Sequence, residues 1–297
     1  MEFIRDVYEA KAAAGKPVIS FEFFPPRTDE GDALLLQKTI PALKRFSPDF
    51  CSVTYGAGGS TREKTLAIVD LIQREHGLTA LAHLTCVNAT VDELRSILKD
   101  FARLGVKNVL ALRGDPPGGQ NEFQKTEGGF EFSWQLVRLV KEMGGFSIGT
   151  AGFPEGHIAC KEGRETDWDR LKAKIDCGAD FVLTQLFFDN QDFYRFREYL
   201  GKKGVSVPIS AGIIPVQSAS QIKKFTALCG ARLPESLRTS LEKHANDDVA
   251  CAEFGVEYAT QQCAELLRSG VSGLHFYTLN KASSTKRILD NLRLAVP

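Results

Sequence analysis

The chain has 297 residues, 43% hydrophobic and 25% charged, and its 37 basic and 37 acidic side chains cancel to a formal net charge of zero. Such a composition excludes a disordered chain and a miniature disulfide scaffold. Without a global field it also disfavours nucleic acid and acidic membrane as partners, so an anionic ligand needs a local cluster of cations and a small molecule is the expected partner.

The N-terminal stretch MEFIRDVYEAKAAAGKP lacks the continuous apolar run of a signal peptide, and no later segment has the length and apolarity of a membrane span. Cysteines stand at 51, 86, 160, 177, 229, 251 and 263, with no C-x-x-C pair. That spacing fits small apolar residues in a reducing cytoplasm, not a zinc site or a disulfide framework, and no metal is expected.

In chain order, eight short apolar runs bounded by turn residues predict strands: PVISFEFFPP, DFCSVTY, TALAHLTC, NVLALRGD, FSIGTAGFP, FVLTQLFFD, VPISAGIIP and GLHFYTLN. Between them lie stretches with apolar residues at helical spacing. In TREKTLAIVDLIQREHG and TVDELRSILKDFARLG a glycine follows the last turn, and Thr90 with Glu93 forms a capping-box pattern. Eight near-continuous apolar strands alternating with helices predict an α/β fold, a single (β/α)8 TIM barrel over residues 1–297. A doubly wound open sheet is the alternative, disfavoured because no strand-to-helix turn carries G-x-G-x-x-G. Residues 234–248 read as an inserted short helix and loop before the last long helix.

A barrel gathers polar residues from strand C-terminal ends on one face. These are Glu22, Thr54 with Tyr55, His83, Arg113 with Gly114 and Asp115, Phe153 with Glu155 and His157, Gln185, and Tyr277 with Asn280 and Lys281. Glu22 lies among Phe21, Phe23 and Phe24. Pointing into the mouth it would be desolvated, with a raised pKa suited to a general acid; pointing outward it would pair with a helix-borne arginine. Asp115 stands in a rigid turn that fixes a carboxylate beside Arg113, which an ion pair explains equally well. GAGGS after Tyr55 permits close backbone approach to a ligand but is also an ordinary turn. Asp167, Arg170 and Lys174 share one helix face, the usual pattern of a solvated surface. His83 and His157 fit either phosphate contacts or core hydrogen bonds, and Phe187, Phe188 and Phe225 fit either stacking or packing.

Taken together, FEFFPP, SVTYGAGG, AHLTC, ALRGDPP, FPEGH, TQLFFD, GIIPV and HFYTLN, in this order, resemble the flavin-dependent 5,10-methylenetetrahydrofolate reductases over essentially the whole chain. The resemblance implies a barrel that binds FAD, takes hydride from NADH or NADPH and passes it to the folate methylene carbon, both substrates using one site in turn. It implies Glu22 as the acid that opens the folate imidazolidine ring, and Asp115 between pterin and flavin. Gln185 would serve both half-reactions, Gln221 and Phe225 would bind folate, and Thr54 would lie near the nicotinamide. Tyr55, Ala57, His83, Arg113, Gly114, Ser133, Phe153, His157, Asp167, Arg170 and Lys174 would contact FAD. Phe153 replaces a tyrosine of some bacterial relatives, and Lys281 replaces a substrate-binding arginine, keeping charge without the planar fork.

The resemblance is to the short prokaryotic form, so no regulatory domain and no feedback by a sulfonium metabolite are expected. A homo-oligomer and a role in methyl-folate supply for methionine synthesis are. The competing functions are a relative fed by ferredoxin or another partner protein, and a non-catalytic folate- or flavin-binding barrel.

Overall fold

The computed structural model describes residues 1–55, 62–116 and 123–294. Each of the eight apolar runs holds a strand: β1 (Val18–Phe23), β2 (Phe50–Val53), β3 (Ala80–Thr85), β4 (Asn108–Leu112), β5 (Ser147–Gly152), β6 (Phe181–Leu186), β7 (Ile209–Ile213) and β8 (Gly273–Tyr277). All neighbours pair parallel, and β8 returns to β1 to close the barrel. Closure removes both sheet edges, leaving the strands' two faces as the places to bury side chains.

The two faces take different residues. Phe21 and Phe23 point outward and join the large core between barrel and helices, whereas Val18, Phe50, Leu81, Leu110, Phe181 and Leu183 fill the interior. The outer layer comprises α2 (Asp29–Leu34), a π-helical turn (Leu35–Thr39), α3 (Ile40–Lys44), α4 (Arg62–Arg74), α5 (Val91–Arg103), α6 (Ser133–Met143), α7 (Arg164–Asp176) and α8 (Asn190–Lys202). It continues with α9 (Ala219–Cys229), α10 (Glu235–Lys243), α11 (Asp248–Arg268) and α12 (Ser283–Asn291). The capping box at Thr90 is present, its hydroxyl accepting from Glu93 N and the Glu93 carboxylate accepting from Thr90 N. Residues 234–248 do hold a short helix, α10, whose Leu237 and Leu241 pack into a second apolar cluster under α9. Among the described residues no helix is long and apolar enough to cross a membrane. All seven cysteines are free, four of them buried.

Helix α1 (Ile4–Ala13) precedes the first strand and so stands before the strand–helix alternation begins. It plugs the N-terminal end of the barrel, with Ile4, Val7 and Tyr8 in the interior cluster. Ile4 N donates to Asn108 Oδ1 (2.8 Å), Arg5 N to Ser147 Oγ (3.1 Å), and the Tyr8 hydroxyl pairs with Ser210 Oγ (2.7 Å). With that end shut, the opposite mouth is where a ligand can enter.

Small residues make the interior packing possible. A Cβ on Gly149 would lie 2.6 Å from Phe181 ring carbons and 2.8 Å from Leu110 Cδ1. Gly149→Ala is therefore expected to destabilise the protein by about 1–3 kcal/mol through overpacking. Urea unfolding checks this; an unchanged midpoint would mean that Phe181 has room to move.

Candidate functional site

Period-two alternation on a closed barrel decides the orientation of Glu22. Ser20 and Glu22 face inward on β1, in register with Phe50 and Ser52 of β2 and with His275 and Tyr277 of β8. The Glu22 carboxylate, 17% exposed, is met from three strands. Ser52 Oγ donates to Glu22 Oε2 at 3.3 Å, and His275 Nε2 lies 3.4 Å from the same oxygen. His83 Nε2 of β3 also lies 3.4 Å away, without hydrogen-bond alignment. On the far side of the His275 ring, Nδ1 is 2.8 Å from Ser20 Oγ.

This seat reverses one expectation. Burial pushes the Glu22 pKa up, but the His275 hydrogen bond, the charges of His83 and His275, and the Ser52 hydroxyl outweigh it, and the carboxyl is held below the ordinary glutamate range. The phenylalanines flanking it in sequence face the helices and do not desolvate it; its surroundings come from β2, β3 and β8. His83, expected at a flavin, stands against Glu22, and burial lowers its pKa despite the pull of that carboxylate.

Tyr277 completes the wall. Its hydroxyl donates to Thr184 O at 2.6 Å, where the β6–β7 register shifts, and burial raises its pKa well above the usual phenol value. Gly212 gives it room, since a Cβ there would sit 2.8 Å from the Tyr277 ring. Gln185 also lies at this end of β6, its Oε1 accepting from Leu186 N (2.9 Å).

A second group gathers where β4 and β5 meet α7. Lys174 Nζ donates to Ala151 O (3.0 Å), Asp167 Oδ2 accepts from His157 N (3.1 Å), and the Phe153 and His157 rings meet edge to face at 4.6 Å. Trp168 Nε1 anchors the Phe153 carbonyl at 2.8 Å. Burial lowers the Lys174 pKa to about 8, only partly opposed by Asp167 and reinforced by Arg113. Burial likewise raises Asp167 and lowers His157. Part of this helix face is thus turned into the protein and is not the solvated stripe that its spacing suggests. Arg170 differs: it pairs with Glu162 at 2.5 Å and donates to Cys160 Sγ at 3.2 Å, in the loop before α7.

The remaining candidates are spread around the rim. Arg113 lays its guanidinium over the Phe123 ring (5.0 Å), and among the described residues no ion pair joins it to Asp115, which is exposed. The ion-pair alternative for that turn is therefore not what the described residues show. Gly114 has φ of +87°, and a Cβ there would meet Val87 Cγ1 at 2.8 Å, so only glycine fits. Thr54 N continues the β1 ladder to Phe23 O (2.9 Å), with Tyr55 half-buried beside it. Ser133 opens α6 between the exposed Phe132 and Trp134. Gln221 lies in the first turn of α9 with its Oε1 buried and unpartnered, and Phe225 one turn on packs into the second cluster. Lys281 is exposed. Glu155 faces away to brace a loop, its carboxylate accepting from Arg232 N (3.0 Å). Ala57 and the rest of GAGGS lie outside the described residues.

Ser20, Ser52 and His275 were not singled out from sequence. The signal was available: once β1, β2 and β8 are adjacent, stepping by two from Glu22 reaches Ser20, and the strand register reaches the other two. A groove of about 640 Å³ on the outer face, lined by His244 and residues of α11 and α12, contains none of these site residues.

Fold and site together define a β/α-barrel protein with a carboxylate–histidine centre at the strand C-terminal ends. The chain belongs to the methylenetetrahydrofolate reductase family, whose model matches residues 7–293. It is similar to methylenetetrahydrofolate reductase (NADH) 1 of Arabidopsis thaliana, 36% identical over 299 residues that cover 97% of this chain and 50% of that protein. It is also similar to 5,10-methylenetetrahydrofolate reductase of Salmonella typhimurium, 38% identical over 278 residues covering 94% of this chain and 91% of that one. The chain spans about half the length of the plant relatives. Among solved structures, an uncharacterized Clostridium thermocellum protein that binds two copies of 5-methyl-5,6,7,8-tetrahydrofolic acid shares the fold. It superposes with a TM-score of 0.61 at 17% identity, covering 96% of this chain and 97% of that chain.

The depressed Lys174 pKa has a definite sign in stability. Below about pH 8 the amine is protonated folded and unfolded; between there and the ordinary lysine value of 10.5 only the unfolded chain keeps the proton. Stability from this group therefore rises with pH across that window, by up to about 3 kcal/mol. The unfolding free energy of the wild type minus that of Lys174→Gln should climb between pH 8 and pH 10; a flat difference would show that the amine is well solvated.

Proposed function

We propose that the mouth of this barrel binds FAD and reduces the methylene carbon of 5,10-methylenetetrahydrofolate to a methyl group, with electrons from NADH or NADPH and the two substrates alternating at one site. The observation that carries the reading is the seat of Glu22, a single carboxylate held inside the mouth by groups from β2, β3 and β8. Family membership supplies the substrate class, and the relatives named above are reductases of this folate, one of them with NADH in its name.

The ring of the folate must open before hydride can reach its carbon, and opening needs a proton on nitrogen. Glu22 Oε2 is the atom to deliver it. Because Glu22 is held toward its ionised form, its proton has to arrive with the substrate or through His275, which bridges it to Ser20. The resulting carboxylate then faces the cationic carbon–nitrogen unit and stabilises it. Around it, Asp115 and Gln185 would hydrogen-bond the pterin, and Gln221 would give its unpartnered Oε1 to a ring donor. Phe225 would line the folate site and Lys281 would meet the carboxylates of the glutamate tail as a point charge.

The residues present fit FAD. Lys174 is a half-buried cation whose hydrogen bond goes to a neutral carbonyl, so a diphosphate beside it would relieve the depression of its pKa. Arg113 adds a second cation, and Gly114 brings backbone close where no side chain fits. Thr85, next to it, has a buried hydroxyl without a partner. Thr54, Tyr55, Ala57, His83, Ser133, Phe153, His157, Asp167 and Arg170 would complete the cofactor and nicotinamide contacts. FAD, when bound, would supply the hydride carrier between nicotinamide and folate.

An anaerobic absorbance titration tests this. Bound flavin should bleach with NADH or NADPH and regain its colour with methylenetetrahydrofolate. Flavin that resists both nicotinamides would favour a partner protein as electron source, and a protein that cannot be reconstituted with flavin would end the proposal. Glu22→Gln should leave bleaching intact and slow recolouring by about 10²–10⁴-fold; recolouring at the normal rate would remove Glu22 as the acid.

A further inference from the structure

Directly beyond β8 the chain does something costly. Leu279 and Asn280, neither of them glycine, both adopt left-handed backbone conformations, with φ of 53° and 56°. Asparagine tolerates this region, but a leucine in it is strained and persists only where its surroundings hold it. What the turn achieves is the placement of one side chain. The Asn280 amide reads both backbone groups of Phe24: its Oδ1 accepts from Phe24 N at 3.0 Å, and its Nδ2 donates to Phe24 O at 2.7 Å. Phe24 lies one residue past the end of β1, so the amide extends the β1–β8 ladder beyond the last strand pair, acting as a substitute peptide group.

The same turn grips Glu22. Thr278 Oγ1 donates to Glu22 O at 2.7 Å and accepts from Asn280 N at 3.2 Å, while Thr278 N reaches the same carbonyl at 3.4 Å. Asn280 is braced in turn by Thr39, whose hydroxyl donates to Asn280 O at 3.1 Å from the π-helical turn. Glu22 is therefore fixed at its own carbonyl by Thr278 and two residues on by Asn280. Its carboxylate contacts all lie between 3.3 and 3.4 Å, near the limit of a useful hydrogen bond, so a backbone displacement well under 1 Å would break them.

We propose that Asn280 is a positioning residue for Glu22, clamping the exit of β1 so that the carboxylate stays within reach of His275, His83 and Ser52. The inference rests on the proposed folate reduction. It concerns the folate half-reaction alone, since the clamp acts on β1 and β8, whereas the Lys174 group hangs on β4, β5 and α7.

Asn280→Gly isolates the clamp, because glycine keeps the left-handed backbone at no steric cost and removes only the amide. The two half-reactions are measured separately by anaerobic stopped flow across pH. The folate step should slow by about 10- to 100-fold while flavin reduction by the nicotinamide holds its rate. The alkaline limb of the folate step should move to higher pH, since burial of Glu22 is then less offset by its partners. Thr278→Val, which removes the other grip and leaves the Asn280 amide, should show the same pattern and serves if the glycine variant does not fold. A folate step with unchanged rate and pH profile in these variants overturns the inference and leaves the proposed function standing. Equal loss in both half-reactions without a pH shift also overturns it, making the clamp a general structural contact. Wild-type protein that fails to pass electrons to the folate overturns the functional reading and this inference with it.

Discussion

A carboxylate inside a closed parallel barrel has no free edge and little water to turn to, so its neighbours on adjacent strands must satisfy it. In this protein that constraint organises the mouth. Glu22 takes contacts from β2, β3 and β8, His275 is itself held from below by Ser20, and Tyr277 caps the wall through the carbonyl of Thr184. These inward positions, two on β1, two on β8 and one each on β2 and β3, are brought together by the register of closure.

The barrel also separates two kinds of chemistry. On the β1–β8 side lies a carboxylate kept ionised by histidines; on the β4–β5 side lies a lysine that burial pushes toward neutrality. Opposite perturbations at opposite parts of one mouth suit a site that handles a proton at one edge and an anionic ligand at the other. Gly114 and the partnerless Thr85 hydroxyl sit on the second side, where polar atoms of a ligand would find uncommitted partners.

Much of the fold was legible in the sequence because strand and helix periods, turn residues and the count of eight agree with one another. The capping box at Thr90 and the short helix α10 followed from local rules. The site was legible only in part. Glu22 could be nominated, but FEFF is apolar on both sides, so its face and its pKa depend on strands 30 and 250 residues away in number, roughly, and not on its neighbours. His275 escaped notice for the same reason, since GLHFYTLN is apolar on both faces. Sequence adjacency left an Arg113–Asp115 ion pair as open as a functional pairing, whereas the contact that the structure gives Arg113 is to the Phe123 ring, ten positions on. Helix α1 carried no strand–helix signal and is explained only by the interior it plugs.

That plug has a consequence for assembly. The helix at the start of the chain is anchored to Asn108, Ser147 and Ser210, the last of them 202 positions downstream. During synthesis it leaves the ribosome ahead of all eight strands, yet its docking surface does not exist until β7 has been made and the interior has begun to close. A segment translated before the strands is thus placed only after most of them, and until then its apolar face, Ile4, Val7 and Tyr8, travels uncovered.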